Sequence, residues 1–204
     1  MNGDVKSPRT IAKEAYELER SVSPVGLQDH LAAAYGGFNI FYIGMRGEWV
    51  RDSVPEYLTN IINDYGLLLY TGRTRDANFI LGNGWKKGTK RLRAIQTLAQ
   101  KVRNDISGLG LSGFALAEHL NETWRLKSEI GGVCDSVLEQ QYQAALDAGA
   151  LGGKLCGAGM GGCWFLLCLK ESRHKVVEAL GLPEIPFRVE RLGVRECELT
   201  FGLR

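Results

Sequence analysis

The sequence carries no large excess of charge of either sign. Across 204 residues, 25 lysines and arginines face 23 acidic residues, a formal net charge of +2. So close a balance gives no electrostatic footprint for nucleic acid or for an acidic partner. Long apolar runs are missing too: none reaches the roughly 20 residues that a membrane-spanning helix needs. The opening Met-Asn-Gly-Asp-Val-Lys-Ser-Pro is polar, and no signal-peptide core follows it. Cysteine is sparse and odd in number, at Cys134, Cys156, Cys163, Cys168 and Cys197. Without a C-x-x-C spacing these residues argue against a zinc site or a disulfide framework. Several lie in apolar runs, where cysteine behaves as a small hydrophobe. A reducing cytoplasm and a chain with neither membrane nor nucleic-acid partner are therefore expected, and no residue is singled out as a metal ligand. Internal repeats, low-complexity tracts and disordered linkers are also missing.

What is present suits one medium domain, or one domain with part of another. Ser7-Pro8 is a helix start, with serine as the cap and proline at the first helical position. Ile11, Ala15 and Leu18 then recur at helical spacing until Pro24 and Gly26 end the element. Phe38–Ile43 and Glu48–Val50 predict two strands around a turn at Gly44–Gly47, and Leu67–Tyr70 a short buried strand. From about Thr89 to Ala148 the pattern is helical. Its stripes are Ile95, Leu98, Val102 and Ile106, then Leu116, Leu120 and Trp124, then Cys134, Leu138 and Ala145. Such stripes are core faces. Cys163–Leu169 predicts a central strand and Ser172 the cap of a short helix stopped by Gly181 and Pro183. Phe187–Leu192 and Cys197–Phe201 predict two closing strands. The order predicts an α+β sandwich, with helices on one face of an antiparallel sheet.

Two segments carry chemistry. Gly153-Lys154-Leu155-Cys156-Gly157-Ala158-Gly159-Met160-Gly161-Gly162 places four glycines within six positions. Successive N–H groups in such a loop make an anion-binding concavity, yet a tight connection between packed backbones explains the glycines equally well. No Gly-Lys-Ser/Thr ending marks a P-loop, and the loop runs into a strand rather than a Rossmann helix. The second segment is Gly26-Leu27-Gln28-Asp29-His30. It sets an aspartate at a helix start, as a capping residue or as a functional one favoured there by the helix dipole.

The motif G-K-L-x-G-A-G-x-G-G followed by an apolar strand resembles the C-terminal motif of the GHMP kinases. Gln28–Asn39 (QDHLAAAYGGFN) is similar to the Q-D-Q-Y-A-A-A-x-G-G-x-N stretch of the heptose-phosphate kinases within that superfamily. Leu68–Leu81 resembles their L-F-x-T-G-x-x-R-x-x-x-x-I-L, and Asn121-Glu122-Thr123-Trp124 with Lys127 their N-E-x-W-x-x-K helix. The landmarks run in order over nearly the whole chain. His30 departs from the usual Gln, and Met160 from a frequent Gly.

The resemblance implies a ferredoxin-like α/β sandwich, the GHMP C-terminal domain, over residues 67–204. Residues 1–66 would be a remnant of the N-terminal domain that includes the catalytic-Asp segment. It implies ATP with Mg2+ as phosphate donor, and the hydroxyl of a heptose 7-phosphate-like sugar phosphate as acceptor. Other sugar or sugar-phosphate kinases of the superfamily, or a non-catalytic binding module, are the alternatives. Asp29 would be the catalytic residue. Gly157, Gly159, Gly161 and Gly162 would form the active-site loop, with Lys154 adding positive charge near phosphate. Arg73, Arg75 and Lys127 would be substrate contacts. The family's N-terminal P-x-x-x-G-L-G-S-S-type loop has no counterpart in these residues. A fragment is therefore expected, one that is inactive alone and prone to self-association or to pairing with a separate N-terminal half.

Overall fold

In the computed structural model the described residues are 6–23, 25–74, 89–108 and 110–195. The chain divides into two compact units. One comprises Met1–Val54 with Val189–Arg204, the other Pro55–Arg188.

In the first unit Ser7 accepts a hydrogen bond from Thr10 N at 3.2 Å, starting α1 (Pro8–Arg20) one residue before its proline. The helix ends at Arg20, ahead of the Pro24 and Gly26 stop read from the sequence; Ser21 caps it through its N–H. Helix α2 (Leu27–Tyr35) packs on α1, burying Ala12, Leu27, Leu31 and Ala34 with Trp49. Strands β1 (Asn39–Ile43) and β2 (Trp49–Ser53) form an antiparallel hairpin from Asn39↔Ser53 to Ile43↔Trp49. The returning segment crosses the end of α2, where Gly37 N donates to Glu190 O and Val194 N to Ala33 O. Glycine is required at this crossing. Gly36 (φ 61°) and Gly193 (φ 65°) touch backbone to backbone, and a Cβ on Gly36 would lie 2.1 Å from Gly193 N.

The second unit is built on a three-stranded antiparallel sheet. Its strands are β3 (Gly66–Tyr70), β4 (Ala150–Leu155) and β5 (Cys163–Cys168), in the order β3-β5-β4. The helices are α3 (Glu56–Tyr65), α4 (Thr89–Ser107), α5 (Gly113–Ser128), α6 (Ser136–Asp147) and α7 (Lys170–Leu180). Trp124 of α5, Leu138 and Tyr142 of α6 and Val176 of α7 pack with Leu67, Trp164 and Leu166 of the sheet in one core. The Trp124 and Trp164 rings meet edge-on at 4.9 Å, and Tyr142 stacks on Trp164 at 5.3 Å. This is the α+β sandwich expected from the sequence. None of the described helices is long and apolar enough to cross a membrane.

Three local expectations are corrected. Ala150–Leu155 is a strand, although the sequence reads there only as the start of a glycine-rich stretch. Its weak β propensity is offset by pairing with β5, with a register shift between Ala150 and Gly152, and by Tyr142, whose hydroxyl accepts from Gly153 N and donates to Gly153 O. Helix α7 starts after Leu169, so Ser172 lies inside its first turn and does not cap it. Phe187–Leu192 forms no strand: it is irregular and bends at 191–192, with Phe187 edge-on to Phe165 at 6.0 Å. The strand expected at Cys197–Phe201 lies outside the described residues.

Candidate active site

The glycine-rich segment is the turn of the β4–β5 hairpin. Leu155 opposes Trp164, and the ladder continues one step with Cys156 N donating to Cys163 O at 2.8 Å. Residues 157–162 then form a loop with positive φ at Gly157 (73°), Gly159 (124°), Met160 (58°), Gly161 (155°) and Gly162 (99°). Two neighbours clamp it. Met160 N donates to Val133 O at 2.8 Å, and a Cβ on Gly159 would lie 2.6 Å from that carbonyl. On the other side Gly162 N donates to Arg73 O and Gly162 O accepts from Thr71 N, while a Cβ on Gly161 would come within 2.7 Å of Arg73 O. The Thr71 hydroxyl also donates to Gly162 O at 2.8 Å. The glycines thus satisfy close backbone approach, and the N–H groups of Met160 and Gly162 are used inside the fold. Gly157 is the exposed corner of the loop.

Charge gathers around this loop. Lys127, on α5 and only 8% exposed, donates its ammonium to Gly157 O. The Arg73 guanidinium pairs with Asp135 at 2.7 Å. Asp135 caps α6 through Leu138 N at 3.0 Å. The Arg73 hydrogen bond, helped by that cap, holds the Asp135 carboxyl below the usual carboxylate range. The structure therefore brings Gly157, Gly159, Gly161, Gly162, Lys127 and Arg73 together. Lys154 is half-buried on β4, opposite Phe165. Arg75 lies outside the described residues. Thr71 and Asp135 were missed from the sequence. Asp135 had a legible signal, an acid one position ahead of a helix with Leu138 three residues on.

Asp29 belongs to the first unit. It is exposed in the first turn of α2, which has Gly26 as its N-cap and no side-chain cap. Beside it, His30 Nδ1 lies 3.2 Å from Gly26 O and Nε2 lies 2.8 Å from Glu19, with Tyr16 edge-on at 5.6 Å.

A magnesium ion needs clustered oxygen ligands. Among the described residues no three His, Cys, Asp or Glu side chains gather to hold a metal. In nucleotide sites that ion is held largely by phosphates with one or two carboxylates.

Comparison with known proteins places this arrangement. Residues 97–182 match the family described as GHMP kinases C terminal. Over those residues the chain is similar to the C-terminal domain of the GHMP kinases, and it shares their fold. Its resemblance to the heptose-phosphate branch is also shown. It is 33% identical over 180 residues to the D-glycero-alpha-D-manno-heptose 7-phosphate kinase of Campylobacter jejuni, matching 83% of this chain and 52% of that protein. A solved structure of a candidate sugar kinase from Campylobacter jejuni is 28% identical, with a TM-score of 0.68, covering 93% of this chain and 57% of that one. A D-glycero-D-manno-heptose 1-phosphate kinase from Bacteriodes thetaiotaomicron shares the fold at 21% identity and a TM-score of 0.65, over 92% of this chain and 54% of its own. The chain spans about half the length of these relatives.

Proposed function

We propose that these residues form the acceptor-side half of an ATP-dependent sugar-phosphate kinase, acting on a hydroxyl of a heptose 7-phosphate-like substrate. The observation that carries this is the glycine loop. It is held in a defined shape by Arg73, Val133 and Lys127, in a chain that is 33% identical to a heptose 7-phosphate kinase. Phosphoryl transfer is mostly positioning and charge stabilisation, and a rigid loop with two cations at its base suits both. Asp29 accepts or orients the acceptor hydroxyl proton, an exposed carboxylate being free to meet a substrate. Gly157 at the exposed corner of the loop meets the phosphate-bearing end of the sugar. Lys154, Arg73 and, outside the described residues, Arg75 supply positive charge to it; Lys127 acts from beneath through the Gly157 carbonyl.

The nucleotide side comes from residues that these 204 do not include. In support, β1 and β2 pair only with each other among the described residues. They carry exposed Ile43 and Val50, with Met45 in their turn. Open edges and apolar surface favour a further chain segment, a separate N-terminal half or a second copy. A reducing cytoplasm completes the proposal.

The test is ADP release from magnesium ATP and heptose 7-phosphate, by the purified chain alone and with the N-terminal half of a relative co-expressed. Turnover is expected only in the second case, with Asp29→Asn lowering it at least about 100-fold, the lower end for a lost catalytic acid or base. Turnover of roughly 1–1,000 per second by the chain alone would refute the need for the other half. Sugar-phosphate binding without turnover in either case would refute the kinase and leave a binding module.

A further inference from the structure

Cys156 and Cys163 occupy directly opposed positions at the stem of the glycine loop. The ladder Gly153↔Leu166 and Leu155↔Trp164 puts the two in register, and Cys156 N donates to Cys163 O at 2.8 Å. Directly opposed residues of an antiparallel pair point to the same face of the sheet. Leu155 and Trp164 face the buried core, so the two cysteines share the opposite face. A hydrogen-bonded pair has its Cα atoms about 5.5 Å apart, inside the range of roughly 4.4–6.8 Å that a disulfide spans. Neither cysteine is in a disulfide, and both are half-buried rather than enclosed. The other described thiols, Cys134 and Cys168, are held protonated. Burial, with the Glu139 and Asp135 charges, pushes the Cys134 thiol up to about 11. Burial likewise raises Cys168 to about 11, against a smaller opposing effect of Arg173. At neutral pH both are held as unreactive thiols.

We propose that Cys156 and Cys163 form a thiol–disulfide site that ties the two ends of the glycine loop together under oxidising conditions. The oxidant is a small-molecule disulfide, for which oxidised glutathione is the probe. The thiolate of one cysteine attacks a sulfur of the probe, breaking its S–S bond and releasing one glutathione thiolate. The other cysteine then attacks the mixed disulfide at the protein sulfur and releases the second. One S–S bond forms and one breaks, two electrons pass to the probe, and the two thiol protons end on its two released thiolates. The second step is intramolecular between positions already opposed, so it outruns capture of a second glutathione.

Met160 lies between the two cysteines, which gives a direct readout. The full chain is treated with oxidised glutathione, remaining thiols are alkylated, and the chain is cleaved at methionine with cyanogen bromide. The fragments on either side of Met160 are expected to stay joined until a reductant is added, with the mass of two hydrogens lost. They separate in Cys156→Ser and Cys163→Ser. Hydrogen exchange of the intact oxidised chain is expected to slow at least tenfold at residues 157–162 relative to the reduced chain. Fragments that separate without reductant, a glutathione carried on each cysteine, or a linkage through Cys134 or Cys168 would overturn the site. A joined pair with unchanged exchange would overturn its hold on the loop. None of these readouts depends on kinase activity.

Discussion

The two units each bring glycines against a neighbouring backbone. At Gly36 and Gly193 a segment crosses the end of α2, and a Cβ on Gly193 would lie 2.4 Å from Ala34 O. At Gly159 and Gly161 the hairpin loop lies on Val133 and Arg73, with hypothetical Cβ distances of 2.6 and 2.7 Å. The steric demand is nearly equal, so close approach cannot by itself mark a functional loop. The surroundings differ. The crossing is lined by Ala32, Ala33, Val189 and Val194 with Glu190. The hairpin loop has the buried Lys127 ammonium on one carbonyl and the Arg73–Asp135 pair at its base. Buried cationic groups cost free energy unless well paired, and packing alone gives no reason to place them there.

The strongest break of this comparison is on the crossing side. Gly36→Val adds both a side chain where none fits and a left-handed β-branched residue. It should cost about 3 kcal/mol or more. Hydrogen exchange should show the loss in residues 1–54 while 55–188 stay protected; uniform loss would mean the units are not separately stable. Gly159→Val should cost slightly less, about 2–3 kcal/mol, since its Cβ would approach Val133 O at 2.6 Å against 2.1 Å at the crossing. It should also abolish sugar-phosphate binding, whereas Gly36→Val should unfold its unit without touching the loop. Urea melts and calorimetric titration separate the two effects.

Lys127→Met removes what distinguishes the loop while keeping the length of the side chain. Loss of a charged hydrogen bond should cost about 2 kcal/mol and speed amide exchange at Gly157 and Ala158. Unchanged exchange would reduce the lysine to a packing residue. Met160→Gly should change stability by no more than about 1 kcal/mol, because relief of left-handed strain offsets the loss of a side chain packed on the core. It should therefore be far milder than Gly159→Val, and similar damage by both would refute a loop held by its glycines.

The smallest effect is acid sensitivity. The Asp135 carboxyl is depressed in the fold, so its contribution is complete above the unfolded value near 3.9 and is lost as pH falls through the lower folded value. Partial exposure of both partners keeps it under about 1 kcal/mol. Asp135→Asn keeps a capping side chain and should flatten the stability profile below about pH 4 in urea melts, with no change in slope above it.

Much of the second unit was legible. Ile95, Leu98, Val102 and Ile106 on α4, and Leu116 and Trp124 on α5, repeat at the helical period because one face of each helix packs inward. Cys163–Cys168 is apolar throughout because it lies between two strands. Strand β4 was not legible, since Gly152 and Gly153 carry no side-chain signal. They are there because a Cβ would strike Ala117 O at 2.3 Å and Phe165 O at 2.3 Å, contacts set by distant parts of the chain. The loop's chemistry was legible as a motif and open as a mechanism, because the sequence could not separate packed backbones from an anion cradle. Arg73 and Lys127 were legible only through resemblance. Their holding roles depend on groups 89 and 30 residues away in the sequence, the Gly162 N–H that donates to Arg73 O and the Gly157 carbonyl that accepts from Lys127.

The segment after Arg188 closes the first unit with the bonds Gly37 N to Glu190 O and Val194 N to Ala33 O. On the ribosome, α1, α2 and the β1–β2 hairpin therefore emerge early and wait. The whole of Pro55–Arg188 must be made before the returning segment arrives. At roughly 5–20 residues per second that interval lasts about 7 to 27 seconds. During it Gly37 N and Ala33 O wait for their partners on the returning segment, and the second unit, whose chain is continuous, is the first that can finish folding.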